Sequence, residues 1–154
     1  MRNLAMNAND SAGGGFSAEE RAAIKQRAAE LKSETTRGRK NKKATEELDV
    51  LNKIAGMEDH DRELAERIHA IVTQNAPDLA PKLWYGQPAY ARGGKVVCFF
   101  RSGSDDKERY STFGFTPQAN LDAAAGVWAT SFAIGSFTPE AEAMLADLVQ
   151  KAVA

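Results

Sequence analysis

The stretch KLWYGQPAYARGGKVVCFF, from Lys82 to Phe100, constrains the fold more than any other part of the chain. It gathers Trp84, Tyr85, Tyr90, Phe99 and Phe100 around a Gly93-Gly94 pair. Aromatic and β-branched residues favour strands, and paired glycines supply the positive φ angles of a tight hairpin turn. The stretch is therefore expected to form a hairpin that turns at Gly93-Gly94, with KVVCFF as its second strand. Apolar side chains fall at both odd and even positions, so both faces of this hairpin carry them. One face can meet a core. What the other face meets decides what the protein can bind.

Two later runs, RYSTFGF and VWATSFAI, alternate clearly and read as a third and a fourth strand. One of their faces holds Phe113, Phe115, Trp128, Phe132 and Ile134. The other holds Tyr110, Thr112, Gly114, Ala129, Ser131 and Ala133, which are mostly small or hydroxylic. Helices flank this strand region. FSAEE opens the first of them, with Ser17 as cap and Glu20 three residues on. It runs to about Thr35 with a thin stripe of Ile24, Ala28 and Leu31, enough to dock but too narrow to build a core. Helical spacing predicts a second helix over 42–55 and a third over 59–75, with Leu64, Ile68 and Val72 facing inward. Thr138-Pro139 opens the last helix, whose stripe of Met144, Leu145, Leu148 and Val149 is wide. The expected fold class is α+β: an antiparallel β-sheet of at least four strands, with helices packed mainly on one face. The bulky face, including Phe113, Phe115, Trp128 and Phe132, is expected beneath the last helix.

Composition narrows the functional classes. A net charge of -1 gives no global field favouring nucleic acid. The basic run RGRKNKK, Arg37 to Lys43, is short and has no interleaved aromatic residue, so it reads as a solvated connector. The single cysteine, Cys98, excludes an internal disulfide framework and a cysteine-based zinc site, and fits a reduced cytoplasmic setting. Its place in VVCFF reads as a buried thiol. Neither a signal peptide nor a membrane span is expected. No nucleophile elbow, Ser-His-Asp order or phosphate loop is present, and no catalytic residue is assigned.

The runs PDLAPKLWYGQPAYARGGKVVCFF, RYSTFGF and NLDAAAGVWATSFAI together resemble the YdhG-like family of unknown function. The signature Trp-Tyr-Gly-x-Pro-x-Tyr is matched by Trp84, Tyr85, Gly86, Pro88 and Tyr90. The resemblance covers about Glu46 to Ala154 and implies a frataxin-like sandwich. The segment before it resembles an N-terminal extension common in bacterial members. Three parts are thus expected: a disordered leader over 1–15, a helical extension with its basic connector over 16–45, and a YdhG-like domain over 46–154. Some family members are described as intracellular iron chaperones, which implies weak iron binding and delivery. The chain departs from the family pattern before its last strand, where Ala123 to Gly126 replaces a more acidic segment.

Two candidate sites follow. Iron accepts carboxylate and imidazole ligands, and Asp59, Glu63 and Glu66 share one side of the third helix. The alternative for these acids is a solvated helix start with favourable dipole placement. His60 and His69 form no spaced metal-binding pair. The second candidate is the free sheet face. Trp84, Tyr85 and Tyr90 would supply an aromatic lining, Lys82 and Arg109 charge at its rim, and Thr112 and Ser131 a small polar floor. That surface fits a small ligand that is anionic or aromatic, held by a binding domain or turned over by an enzyme that uses this face. It fits equally a protein partner or the seam of a homodimer.

Overall fold

The aromatic stretch folds as three strands. The turn between the first two is Tyr85-Gly86, with φ of 51° and 76°. Two consecutive positive φ angles define the two-residue loop whose twist matches antiparallel strands. A second two-residue loop follows at Gly93-Gly94, with φ of 58° and 83°. The strands are β1 (Ala80–Trp84), β2 (Gln87–Arg92) and β3 (Lys95–Arg101). Two more, β4 (Ser111–Phe115) and β5 (Ser131–Ile134), complete a five-stranded antiparallel sheet in the order β1-β2-β3-β4-β5. The computed structural model describes residues 18–36 and 41–154. The expected leader, the Ser17 cap and most of the basic connector lie outside the described residues.

The helices are α1 (Ala18–Thr36), α2 (Lys42–Ala55), α3 (Asp59–Asn75), the single turn α4 (Gly103–Asp106) and α5 (Pro139–Val153). The α+β class is as the sequence implies. Helix α2 lies against β1 and β2, and α3 contacts both α2 and α5. Their apolar stripes enclose the core with one face of the sheet. Val50, Ile54, Leu64, Ile68, Val72, Leu145 and Val149 meet Tyr90, Cys98, Phe100, Phe113 and Phe115 there. Caps fix the helix starts. Asn41 accepts from the Lys43 N–H at 3.0 Å, and Thr138 from the Ala141 N–H at 3.1 Å. Arg92 donates to the Val153 carbonyl at 2.8 Å, which ties the β2–β3 turn to the C-terminal end of α5.

One expectation needs correction. Phe113 and Phe115 are buried and Phe132 is half-buried, but Trp128 is 40% exposed. The ladder between β4 and β5 begins at Gly114↔Ser131, so Trp128 lies ahead of the paired strand, at the sheet margin. Tyr110 likewise precedes β4 and is exposed. Helix α2 is one continuous helix carrying the core residues Val50, Leu51 and Ile54. Helix α1 docks by its narrow stripe. Leu31 is fully buried, while Ile24 and Ala28 are half-buried against α2. Ion pairs Arg27–Glu47 at 3.0 Å and Arg21–Glu66 at 3.2 Å tie it down further.

Candidate functional site on the open sheet face

The face turned away from the helices is built by alternate residues of all five strands. Register places Lys82 opposite Ala89, Ala89 opposite Phe99 and Phe99 opposite Gly114. Gly114 in turn faces Ser131, while Arg101 faces Thr112 and Thr112 faces Ala133. A small second cluster forms on this face, with Ala89, Ala91 and Val96 buried beneath the half-buried Trp84 and Phe99. Their rings lie 5.2 Å apart between centroids, and the Trp84 and Tyr85 rings 4.9 Å apart. Phe99 lies across β4. A Cβ added at Gly114 would come within 2.5 Å of the Phe99 ring, so only glycine leaves room for the ring to lie flat there.

Tyr85 is the least expected member of this ridge. A bulky side chain at φ 51° is strained, and Asn, Asp or Gly ordinarily holds that turn position. Its ring is 80% exposed, so core packing does not compensate the strain. Residues held in sparsely populated conformations concentrate at binding and catalytic sites.

Tyr90 does not join the ridge. It is fully buried on the helix side, where its hydroxyl and His69 Nδ1 share a 3.0 Å hydrogen bond. The two-residue turn is the reason. It pairs Trp84 with Gln87, which puts Trp84 on one face with residues of odd number in β2, and Tyr90 on the other. Burial pushes the His69 imidazolium down to about 4 and the Tyr90 phenol well up. Both groups are therefore neutral at neutral pH. Burial also pushes the Cys98 thiol well up, which makes it a poor nucleophile, in line with a core thiol.

Of the expected rim, Lys82 stands two residues from Trp84 on the same face of β1. Arg109 stacks over Tyr110 at 5.0 Å, in the segment that leads into β4. With Arg101 and Thr112 it lines an open recess of about 660 Å³. Arg101 is held there by a bidentate pair with Asp106 at 3.0 and 3.1 Å. Ridge and recess are contiguous, since Phe99 and Arg101 are alternate residues of β3, and Gly114 and Thr112 of β4. Phe99 was legible as a strand residue, but its role depends on which side of the sheet it faces.

The acidic candidates have separate partners. Asp59 pairs with Arg62 at 2.9 Å and is exposed, as is Glu63, whereas Glu66 is buried and pairs with Arg21. Among the described residues no three His, Cys, Asp or Glu side chains are grouped as metal ligands. The acid between them, Asp61, has a structural part that the sequence did not disclose. It is buried and accepts from the Ser102 hydroxyl, the Ser104 N–H at 3.0 Å and the Ser111 hydroxyl at 3.2 Å. Burial opposes its ionisation, but these donors outweigh burial and hold the carboxyl below its ordinary range. Nearby, Asp105 accepts from Lys53 at 2.7 Å and from Gln87 at 2.8 Å, so α2, α3, β2 and α4 are pinned together.

No family model matches the chain, and neither a curated protein nor a solved structure matches it. Among the described residues no helix is long and apolar enough to cross a membrane.

Proposed function

We propose that this protein is a binding domain whose open sheet face receives a planar, apolar group bearing negative charge. The observation that carries this reading is the continuous ridge Tyr85–Trp84–Phe99, with a strained and exposed tyrosine at its tip. Aromatic faces stack on planar ligands with little loss of side-chain freedom. Lys82 beside the ridge and Arg109 in the adjoining recess supply the cations. The resemblance of the Trp84-to-Tyr90 run to the YdhG-like family supports a binding role without naming a ligand. Weak iron binding by Asp59, Glu63 and Glu66, the other reading, draws its support from that resemblance and from the placement of these acids on one helix.

An anilinonaphthalene sulfonate dye combines a planar apolar body with one anionic group and serves as a probe. Titration into the full chain should give saturable binding, with quenching of tryptophan emission retained when Trp128 is replaced by Phe. Affinity should fall about tenfold in Trp84→Ala and in Phe99→Ala. Unchanged affinity in both variants, with the fold intact by circular dichroism, would remove the site from this face.

A further inference from the structure

The two edges of the sheet are built differently. Strand β1 carries Pro81 and Lys82, and α2 lies against it. Proline, charge and a covering helix are the usual means of keeping an edge from pairing with another chain. Strand β5 has none of these. Its sequence is Ser-Phe-Ala-Ile, and no charged residue occurs between Asp122 and Glu140. Val127 and Trp128, just ahead of it, are 81% and 40% exposed.

We propose that β5 is a self-pairing edge, which joins a second copy of this chain in antiparallel register about Phe132. The ladder geometry supports it. The Phe115 N–H donates to the Thr130 carbonyl at 2.7 Å. Bonded and non-bonded pairs alternate in an antiparallel ladder, so Phe113↔Phe132 is a bonded pair, while Gly114↔Ser131 and Thr112↔Ala133 are not. The backbone groups of Ser131 and Ala133 therefore point away from β4, and both residues are exposed. Among the described residues no backbone bond from outside the sheet reaches them.

A twofold axis at Phe132 would set Ser131 opposite Ala133 of the second copy, and Ala133 opposite its Ser131. Each such pair exchanges both backbone bonds. Phe132, half-buried in one chain, would then face its own copy as a non-bonded pair, where side chains approach most closely. Small residues on either side of one aromatic make the strand self-complementary, and the absence of charge leaves nothing to repel the copy. This surface lies at the other end of the sheet from Trp84, so it stands or falls apart from the ligand reading.

Sedimentation velocity over a concentration series tests the proposal. The full chain should show a reversible monomer–dimer equilibrium. Ala133→Pro removes an outward N–H without touching the β4 ladder, and should weaken the dimer at least about tenfold while circular dichroism stays unchanged. Ser131→Lys and Ala133→Glu should each weaken self-association. Their mixture should restore a heterodimer, because the register sets the introduced lysine against the introduced glutamate. A chain that stays monomeric throughout the series, or dimers that persist in Ala133→Pro, would overturn the proposal. A mixture of the two charged variants that does not associate would overturn the Phe132-centred register.

Discussion

Both faces of the sheet carry aromatic residues and use them differently. On the helix side Tyr90, Phe100 and Phe113 are fully buried, and the Tyr90 hydroxyl is paired with His69 Nδ1. On the open side Trp84 and Phe99 remain half-buried, shelter only alanines and a valine, and end in the exposed ring of Tyr85. The first arrangement is what stability requires. The second leaves apolar area in water that a different side-chain choice could have removed, and it keeps a tyrosine where its backbone is strained. The contrast separates residues that hold the fold from residues available to a ligand.

The contrast can be tested in descending order of effect. Phe113→Ala removes a fully enclosed ring and should lower unfolding free energy by about 3–5 kcal/mol, measured by urea denaturation. A loss below about 1 kcal/mol would mean that the helix side is less tightly built than described.

The next effect is a pH dependence seated on the same buried side. His69 is depressed to about 4 when folded, against about 6.5 unfolded. The unfolded chain therefore binds more protons between these values. Stability from keeping His69 neutral is present above about pH 6.5 and is lost as pH falls toward 4, amounting to about 3 kcal/mol. Denaturation midpoints recorded across that window should fall with acid in the parent and be nearly flat in a His69→Leu/Tyr90→Phe double variant. An equal slope in both would show that His69 is not the titrating group. The depressed carboxyl of Asp61 adds its own loss at still lower pH.

Phe99→Ala on the open side should cost only about 1–2 kcal/mol, since the ring is only partly buried. It should nevertheless weaken dye binding more than Phe113 variants that remain folded. A cost equal to that of Phe113→Ala would erase the distinction between the faces.

The smallest effect has the opposite sign. Tyr85→Asn relieves the left-handed strain and should raise stability by up to about 1 kcal/mol while lowering dye affinity. Simultaneous loss of both stability and affinity would make Tyr85 a structural residue.

Helices were largely legible because their signals are local. The spacing of Leu64, Ile68 and Val72, and the Thr138-Pro139 start, gave α3 and α5 close to their observed bounds. The strand region was legible as strands but not as faces. The expected hairpin turns only at Gly93-Gly94 and groups Trp84, Tyr85 and Tyr90 as one aromatic lining. The two-residue turn at Tyr85-Gly86 puts Trp84 and Tyr90 on opposite faces, and Phe99 takes the place expected of Tyr90. A Tyr-Gly pair is a weaker turn signal than Gly-Gly, because a β-carbon resists positive φ. The part played by Asp61 was not legible for the same reason of locality, since its serine partners Ser102 and Ser111 lie 41 and 50 residues further along the chain.

By itself, then, the sequence determined the α+β class, the helix positions, the core-forming alternation of Phe113 and Phe115, and the presence of an aromatic-rich face. These follow from periodicity and capping, which act over a few residues. Only the tertiary structure decided which aromatics share a face, that Trp128 lies at the margin, and that β1 is covered while β5 is open. Those outcomes depend on register and strand order, which are set by where distant elements pack, because a shift of one residue in a turn moves every following side chain to the opposite side of the sheet.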